Sequence, residues 1–550
     1  MRRVLLALAA LALVLAVPFV ARSTRVRPPA GAGVETLVIL TPHNESIRYE
    51  FGRAFRAHMA RLGRDVDVDW RWPGGTAEIT RYLASEYAAS FERRWTGALG
   101  RPWSAAVAAG FARPGPAPAA GGGLAEQAQR AVAEDARRAF LASDVGCGVD
   151  LLFGGGSSEF ARHAQAGRLV DAGLVAGHPE LFGPGGIPQT AGGETYWDRD
   201  GRWFGTALSS FGICYNRDVL DRLGVHEPPA SWAALADPAL KGALALADPT
   251  KSGSVGKAFE TIIQHEMNAA LERARAAGER DPAALERAAT RDGWAAAMRL
   301  IRRIGANARY FTDSGVKIPL DVSSGEAAAG MCIDFFGRFQ GEYAASVGRP
   351  GRVGFATARG ETSLDADPIA LLRGAPHREL AVRFIEFVLS EEGQKLWGFR
   401  RGEPGGPETY TLRRLPILPR LYDPAFTSSR ADPDENPYAE GGGSVYHPAW
   451  TGSLFSTIAL VVRVMCVDPD AELAEAYGAL AAAHFPPRAT ALFDDLTLVD
   501  YDTASGPLRA ALQSPDPLEE ARWSIRLVEH HRALYRRVAA LARAEQAGAP

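Results

Sequence analysis

Apolar and polar positions along this chain switch between two periods, and each switch marks an element. Thr36-Leu-Val-Ile-Leu40 is a short apolar run of the kind shown by a strand buried on both faces. A polar turn, Thr41-Pro-His-Asn-Glu-Ser46, follows it. Ile47, Phe51, Phe55, Met59 and Leu62 then recur at helical spacing. Val66, Val68, Trp70 and Trp72 alternate with Asp65, Asp67, Asp69 and Arg71, which predicts a second strand. Thr76 is placed to cap a further helix bearing Ile79, Tyr82 and Leu83. Strand, helix, strand, helix in this order implies parallel pairing with right-handed crossovers. Residues 149–153, 243–247 and 327–333 repeat the short apolar strand, each running into a polar turn.

The stretch from Phe204 to Gly224 organises the rest. Its first half alternates apolar and small residues as a strand does, and from Asn216 it has the start, apolar stripe and closing glycine of a short helix. It predicts a crossing point between two α/β units, with residues 363–372 as a strand returning to the first. Such a chain encloses a cleft between two hinged lobes. The expected divisions are a signal peptide or membrane anchor at 1–27, a linker at 28–34, a first lobe at 35–208 with an insertion at about 90–143, a second lobe at 209–358, a return to the first lobe with closing helices at 359–437, and a helical C-terminal extension at 438–550. In that extension Ile525, Val528, Leu534, Val538 and Leu541 predict the packed stripe of a long helix.

At 550 residues the chain is longer than one ordinary domain. Its 47% apolar and 23% charged residues are those of a globular protein, and a net charge of −3 leaves no basic footprint for nucleic acid. Arg2 and Arg3 precede an apolar run from Val4 to Ala21, so export is expected, with the segment either cleaved or retained as an anchor. Export permits disulfides, but Cys147, Cys214, Cys332 and Cys466 lie far apart without the close pairs of a zinc site, and buried thiols are expected for Cys214 and Cys332. Gly253-Ser-Val-Gly-Lys257 falls short of a phosphate loop, because Lys251 stands where its first glycine belongs and Ala258 follows the lysine. No other enzyme or metal motif occurs. The adjacent pair His530-His531 points to different helix faces and is expected at the surface.

Three polar turns, 41–46, 154–159 and 250–254, follow buried strands and open helices, where free backbone N–H groups favour anions. Together with the crossing stretch they predict a binding cleft. The pieces Thr41-Pro-His-Asn-Glu45, Asp150-Leu-Leu-Phe153 with Ser158-Glu159, Cys214-Tyr-Asn216, Asp248-Pro-Thr-Lys-Ser-Gly253, Gly325-Glu-Ala-Ala-Ala-Gly330 and Phe387-Val-Leu-Ser-Glu-Glu-Gly-Gln394 resemble the type II periplasmic solute-binding proteins of ABC importers, in the branch of the ferric-ion-binding proteins.

The resemblance implies an α/β, two-lobed type II periplasmic-binding-protein fold with a hinge, plus the mainly helical C-terminal extension. It implies no catalytic residue, no metal and no cofactor, a small-molecule solute and ABC permease subunits as partners, a monomer without nucleic acid, and a location in the periplasm or anchored to the outer face of the cytoplasmic membrane. Position by position it carries His43 and Glu159 over from the iron-binding members, but their tyrosine pair falls on Phe335-Phe336. Phenylalanine has no oxygen for a hard trivalent cation, so an organic solute, anionic or polyhydroxylated, is expected instead. The expected ligand-binding residues are His43, Asn44, Ser157, Ser158, Glu159, Ser209, Ser210, Thr250, Ser252, Gly253, Asp334, Phe335 and Phe336, with Ser314 near another such position. Asp334 either accepts from the solute or caps the following helix. Two other readings use the same fold: a tethered sensor or scaffold, and ferric-ion binding. A third, an enzyme, would use His43 and Glu159 as an acid/base pair.

Overall fold

The computed structural model describes residues 33–113, 123–439, 444–514 and 516–548. The expected export signal and most of the linker lie outside the described residues. Among the described residues no helix is long and apolar enough to cross a membrane.

Strands β1 (Glu35–Leu40) and β2 (Val66–Arg71) pair in parallel, and β3 (Leu151–Phe153) joins the other side of β1. A small hairpin, β4 (Thr190–Ala191) and β5 (Glu194–Thr195), leads to β6 (Phe204–Ser209). The chain then changes sheets across the single residue Ser210: β7 (Phe211–Asn216) belongs to a second sheet with β8 (Leu244–Ala247), β9 (Ala308–Thr312), β10 (Ala329–Ile333) and β11 (Val353–Thr357). β12 (Asp365–Leu371) returns to the first sheet, and β13 (Leu415–Pro416) closes it. The orders are β13-β6-β12-β3-β1-β2 and β11-β7-β10-β8-β9. The crossing stretch therefore supplies one strand to each sheet, with β12 antiparallel to β6 on one side and β10 antiparallel to β7 on the other.

Each sheet is covered on both faces, which is why its strands read as continuous apolar runs. On one face of the first sheet the helix Glu45–Arg61 buries Phe51, Phe55 and Met59, spaced by four so that they share one stripe. Each contributes about 1.5–3 kcal/mol of apolar burial. The other face is covered by the helix Thr76–Arg93 and by the segment expected as an insertion, whose Trp95, Val107, Phe111, Ala136 and Phe140 share a core with Val38, Leu40 and Leu83. That segment is thus part of the lobe's packing.

The C-terminal helices pack on the second lobe. Ile458, Val461, Leu473, Phe493, Leu534 and Val538 join Ile262, Trp294 and Ile301 in one core. Two expectations for the final helix, Pro517–Ala547, are corrected here. Ile525 is exposed, because the packed stripe runs through Leu527, Leu534, Tyr535, Val538 and Ala542. His531 is buried rather than at the surface, since it falls on that stripe; its Nδ1 lies 2.8 Å from the Leu527 carbonyl, and burial together with the nearby Arg302 pushes it down to about 3. All four cysteines are buried free thiols.

Candidate functional site

A cavity of about 560 Å³ lies between the two sheets, bounded by turns from both lobes. It is formed because β1, β3 and β8 each end in a polar turn aimed at the same space, and a helix starts from each turn or close to it. Asn44 starts the helix after β1, and its side chain accepts from the Ile47 N–H at 3.1 Å, so this cavity-lining residue already serves as a cap. Thr76 is the first residue of its helix and Gly75 is the cap, its N–H held by Glu78 at 3.0 Å. From the opposite lobe the long helix Gly253–Ala276 begins at the cavity. The two helix starts nearly meet, since a Cβ on Gly253 would sit 3.0 Å from Thr76 Oγ1. The first N–H groups of a helix have no partner within it and carry its positive end, so an anion between these starts is favoured from both sides.

One wall of the cavity is a buried charged network. Asp367 Oδ2 accepts from Arg414 at 2.6 Å and lies 3.1 Å from His43 Nε2, while Oδ1 accepts from the Gly155 N–H at 2.8 Å. Burial pushes this carboxyl upward, but Arg414 and His43 outweigh it and hold it at about 2. Arg414 also donates to Ser209 Oγ at 2.9 Å, and its guanidinium lies 4.3 Å over the Phe335 ring and 5.5 Å over that of Trp397. Gly154 makes room for this network: its φ is +97°, and a Cβ there would meet His43 Nε2 at 2.6 Å. Phe335 and Phe336 line the cavity with ring centroids 4.1 Å apart.

Beside the cavity lies a second network. The Lys257 ammonium sits 2.9 Å from Glu194 and 3.1 Å from Glu260, and 4.1 Å over the Tyr446 ring. Asp365 accepts from Ser157 Oγ at 2.6 Å, and Ser363 donates to Glu194 at 2.6 Å. Burial pushes Glu194 up to about 7, with Lys257 drawing it back only in part, and burial also raises Asp365. The folded form thus holds a proton on Glu194 more tightly than its ordinary value near 4.5 would allow. The stability this contributes is complete below that value and is lost as pH rises through about 7. Stability should accordingly fall more steeply between about pH 5 and pH 8 in the wild type than in Glu194→Gln, as measured by denaturant unfolding. Equal slopes would refute this role for Glu194.

Of the expected residues, His43, Asn44, Ser158, Glu159, Ser209, Ser252, Gly253, Phe335 and Phe336 line the cavity, as does Ser314. Four do not. Ser157 is held behind the wall by Asp365. Thr250 is turned back onto Asp248, which accepts both its N–H and its hydroxyl. Asp334 is fully buried, accepting from the Phe335 N–H and from Arg338, and Ser210 donates to it at 3.4 Å. It is the first residue of the helix 334–346, and Ile333 stands at the cap position, so neither expected role is the one observed. His43 and Glu159 do not pair: His43 bonds to Asp367, and Glu159 to Arg162 and Thr80. Arg414, Asp365, Asp367, Lys257 and Thr76 were missed. The two aspartates stood in plain view as the only charged positions, two apart, of an otherwise apolar strand. Arg414 lies in irregular chain and gave no periodic signal. Among the described residues no group of three or more His, Cys, Asp or Glu is arranged to hold a metal ion.

Residues 155–402 match the family model described as bacterial extracellular solute-binding protein. The match covers 248 of the chain's 550 residues, under half of it. With the sheet orders above, the two-lobed body has the type II solute-binding fold. An uncharacterized protein of Haemophilus influenzae is 26% identical over 189 residues, 34% of this chain and 45% of that one. The phosphoglycerate transport regulatory protein PgtC of Salmonella typhimurium is 23% identical over 190 residues, 34% and 39% respectively. The chain thus spans under half the length of these relatives. Among solved structures, stretches of this chain are similar to the periplasmic binding protein AfuA of Actinobacillus pleuropneumoniae with exogenous fructose-6-phosphate bound (17% identity, 66% of this chain and 81% of that one, TM-score 0.41). They are also similar to iron-bound HitA of Pseudomonas aeruginosa (15% identity, 78% and 99%, TM-score 0.45).

Proposed function

We propose that this protein captures a small hydroxylated organic phosphate between its lobes, outside the cytoplasmic membrane, and presents it to the permease of an ABC importer. The observation that carries this reading is the approach of the Thr76 and Gly253 helix starts, from opposite lobes, across one cavity. An anionic end placed there is held by N–H groups of both lobes, so binding favours the closed arrangement by its differential affinity for it. Ser158, Ser252 and Ser314 supply hydroxyls around that end, while Asp367 and Arg414 offer an acceptor and a donor to hydroxyls of the body. Phe335 and Phe336 give the body an apolar surface. The name of the Salmonella relative, which speaks of phosphoglycerate, agrees with this class of solute. No covalent step is assigned to the site. Replacement of the iron-ligand positions by Phe335 and Phe336 disfavours ferric ion.

Thermal unfolding of the protein against sugar phosphates, polyol phosphates, unphosphorylated sugars and ferric ion tests the reading. A solute at about 100 times its Kd adds about 2.7 kcal/mol of stability. Stabilisation by phosphorylated compounds supports the proposal, and stabilisation by ferric ion alone overturns it. Phe335→Ala with Phe336→Ala should weaken binding of the stabilising compound by about tenfold or more, the scale of a lost aromatic contact, while the fold persists. Unchanged affinity would remove the two rings from the site.

A further inference from the structure

The helix Phe455–Val462 belongs to the C-terminal part of the chain, beyond the matched solute-binding domain, yet its first residue enters the cavity wall. The Phe455 ring lies on Gly256, in the first turn of the Gly253 helix, where a Cβ would meet it at 3.0 Å. That helix therefore goes without a side chain at the one place where the ring rests on its backbone. The ring is only partly buried, so part of its surface is left to the cavity.

The segment that delivers this ring is fixed to both lobes. Ser444 N–H donates to the Thr362 carbonyl at 3.0 Å, and Tyr446 N–H donates to that of Gly192 at 2.7 Å. On the second lobe, Gln264 donates to the His447 carbonyl and accepts from its N–H, Asn268 donates to the Val445 carbonyl at 2.7 Å, and Thr451 donates to Glu260 at 2.6 Å. A ring so placed is preorganised, and it does not have to be ordered when a solute arrives.

We infer that Phe455 is a specificity-determining residue of the solute site: its ring covers the C–H face of a cyclic body whose phosphate lies at the neighbouring turn of Ser252, Gly253 and Ser254, so that the C-terminal segment forms a third wall of the cleft. The inference rests on the proposed function and narrows it from organic phosphates in general to ring-bearing sugar phosphates. The cavity of about 560 Å³ has room for such a body, and Phe335 and Phe336 supply further aromatic surface to it.

Calorimetric titration of the full-length protein with glucose 6-phosphate, mannose 6-phosphate, fructose 6-phosphate, glycerol 3-phosphate and inorganic phosphate tests it. The wild type should bind its best hexose phosphate about tenfold or more tighter than glycerol 3-phosphate. In Phe455→Ala that gap should close to within about threefold, with the affinity for inorganic phosphate and glycerol 3-phosphate unchanged, and Phe455→Leu should fall between. Melting curves of both variants establish that they fold, and the leucine keeps the test open if the alanine does not. A preference that survives in the variants, or a wild type that prefers the acyclic compounds, overturns the inference and leaves the proposed function standing. A wild type that binds none of the five overturns both.

Discussion

Arg414→Ala should destabilise the protein by about 3–5 kcal/mol, the cost of removing one partner from a buried ion pair. Arg414 is nearly inaccessible, at 3% exposure, and it carries the burden of holding the also buried Asp367 ionised. Without it, burial would act on that carboxyl with the His43 ring as its remaining side-chain partner, and the carboxyl would rise from about 2 toward protonation. The sign of the pH effect follows. In the wild type the depressed carboxyl contributes stability that is present above its ordinary value and lost as pH falls through about 2. In Arg414→Ala most of that contribution is gone at neutral pH already. Combining the substitution with Asp367→Asn should recover a large part of the loss, because no charge is then left buried. Urea unfolding of the two single variants and the double variant measures this, and a double variant no better than Arg414→Ala would show that the pair is not the source of the loss.

Lys257→Met should be of comparable size, about 3–5 kcal/mol, and its cost should change with pH in the same direction but over a higher range. The substitution keeps much of the side chain's volume but removes the cation that, among the described residues, Glu194, Glu260 and Asp365 share, with Tyr446 closing the remaining side. Glu194 is already raised to about 7 with the ammonium in place, and its loss would raise it further. The cost should therefore be largest at alkaline pH and shrink as pH falls through the range in which these carboxyls take up protons. Unfolding free energies at about pH 5 and pH 8 give the comparison. A deficit that is the same at both would mean that the carboxyls adjust without titrating.

These two networks also show where sequence reading stops. The buried strands were legible because burial on both faces writes itself as apolar runs, and a crossing within 204–224 was legible too, but β6 and β7 read as one strand because only the small Ser210 parts them. The turns that reach the cavity were legible for the same reason: each follows such a run. Which hydroxyl in a turn faces the ligand was not. Thr250 follows Asp248 by two and is captured by it, a local bond that competes with any solute. Asp334 is held by Arg338, one helical turn further on. Arg414 and Lys257 reach partners 47 and 63 residues away, at Asp367 and Glu194, and no periodicity encodes such meetings. Phe455 was equally hidden, since only the path of the chain from Ser444 brings it to the cleft.

That path has a mechanical consequence. The chain passes between the lobes at Ser210, again between β11 and β12, and a third time on its way to Ser444. Two connections leave a pair of rigid bodies free to swing about the line through them, as a door swings on two pins. The bonds of Ser444 to Thr362 and of Tyr446 to Gly192 add a third tie, the first of them on the connection between β11 and β12 itself, where the Thr362 hydroxyl also accepts from the Phe211 N–H beside Ser210 at 3.2 Å. Parting this segment from both anchor points costs about two hydrogen bonds, each of about 0.5–1.5 kcal/mol. The cost is the same whether the space between the lobes is empty or filled.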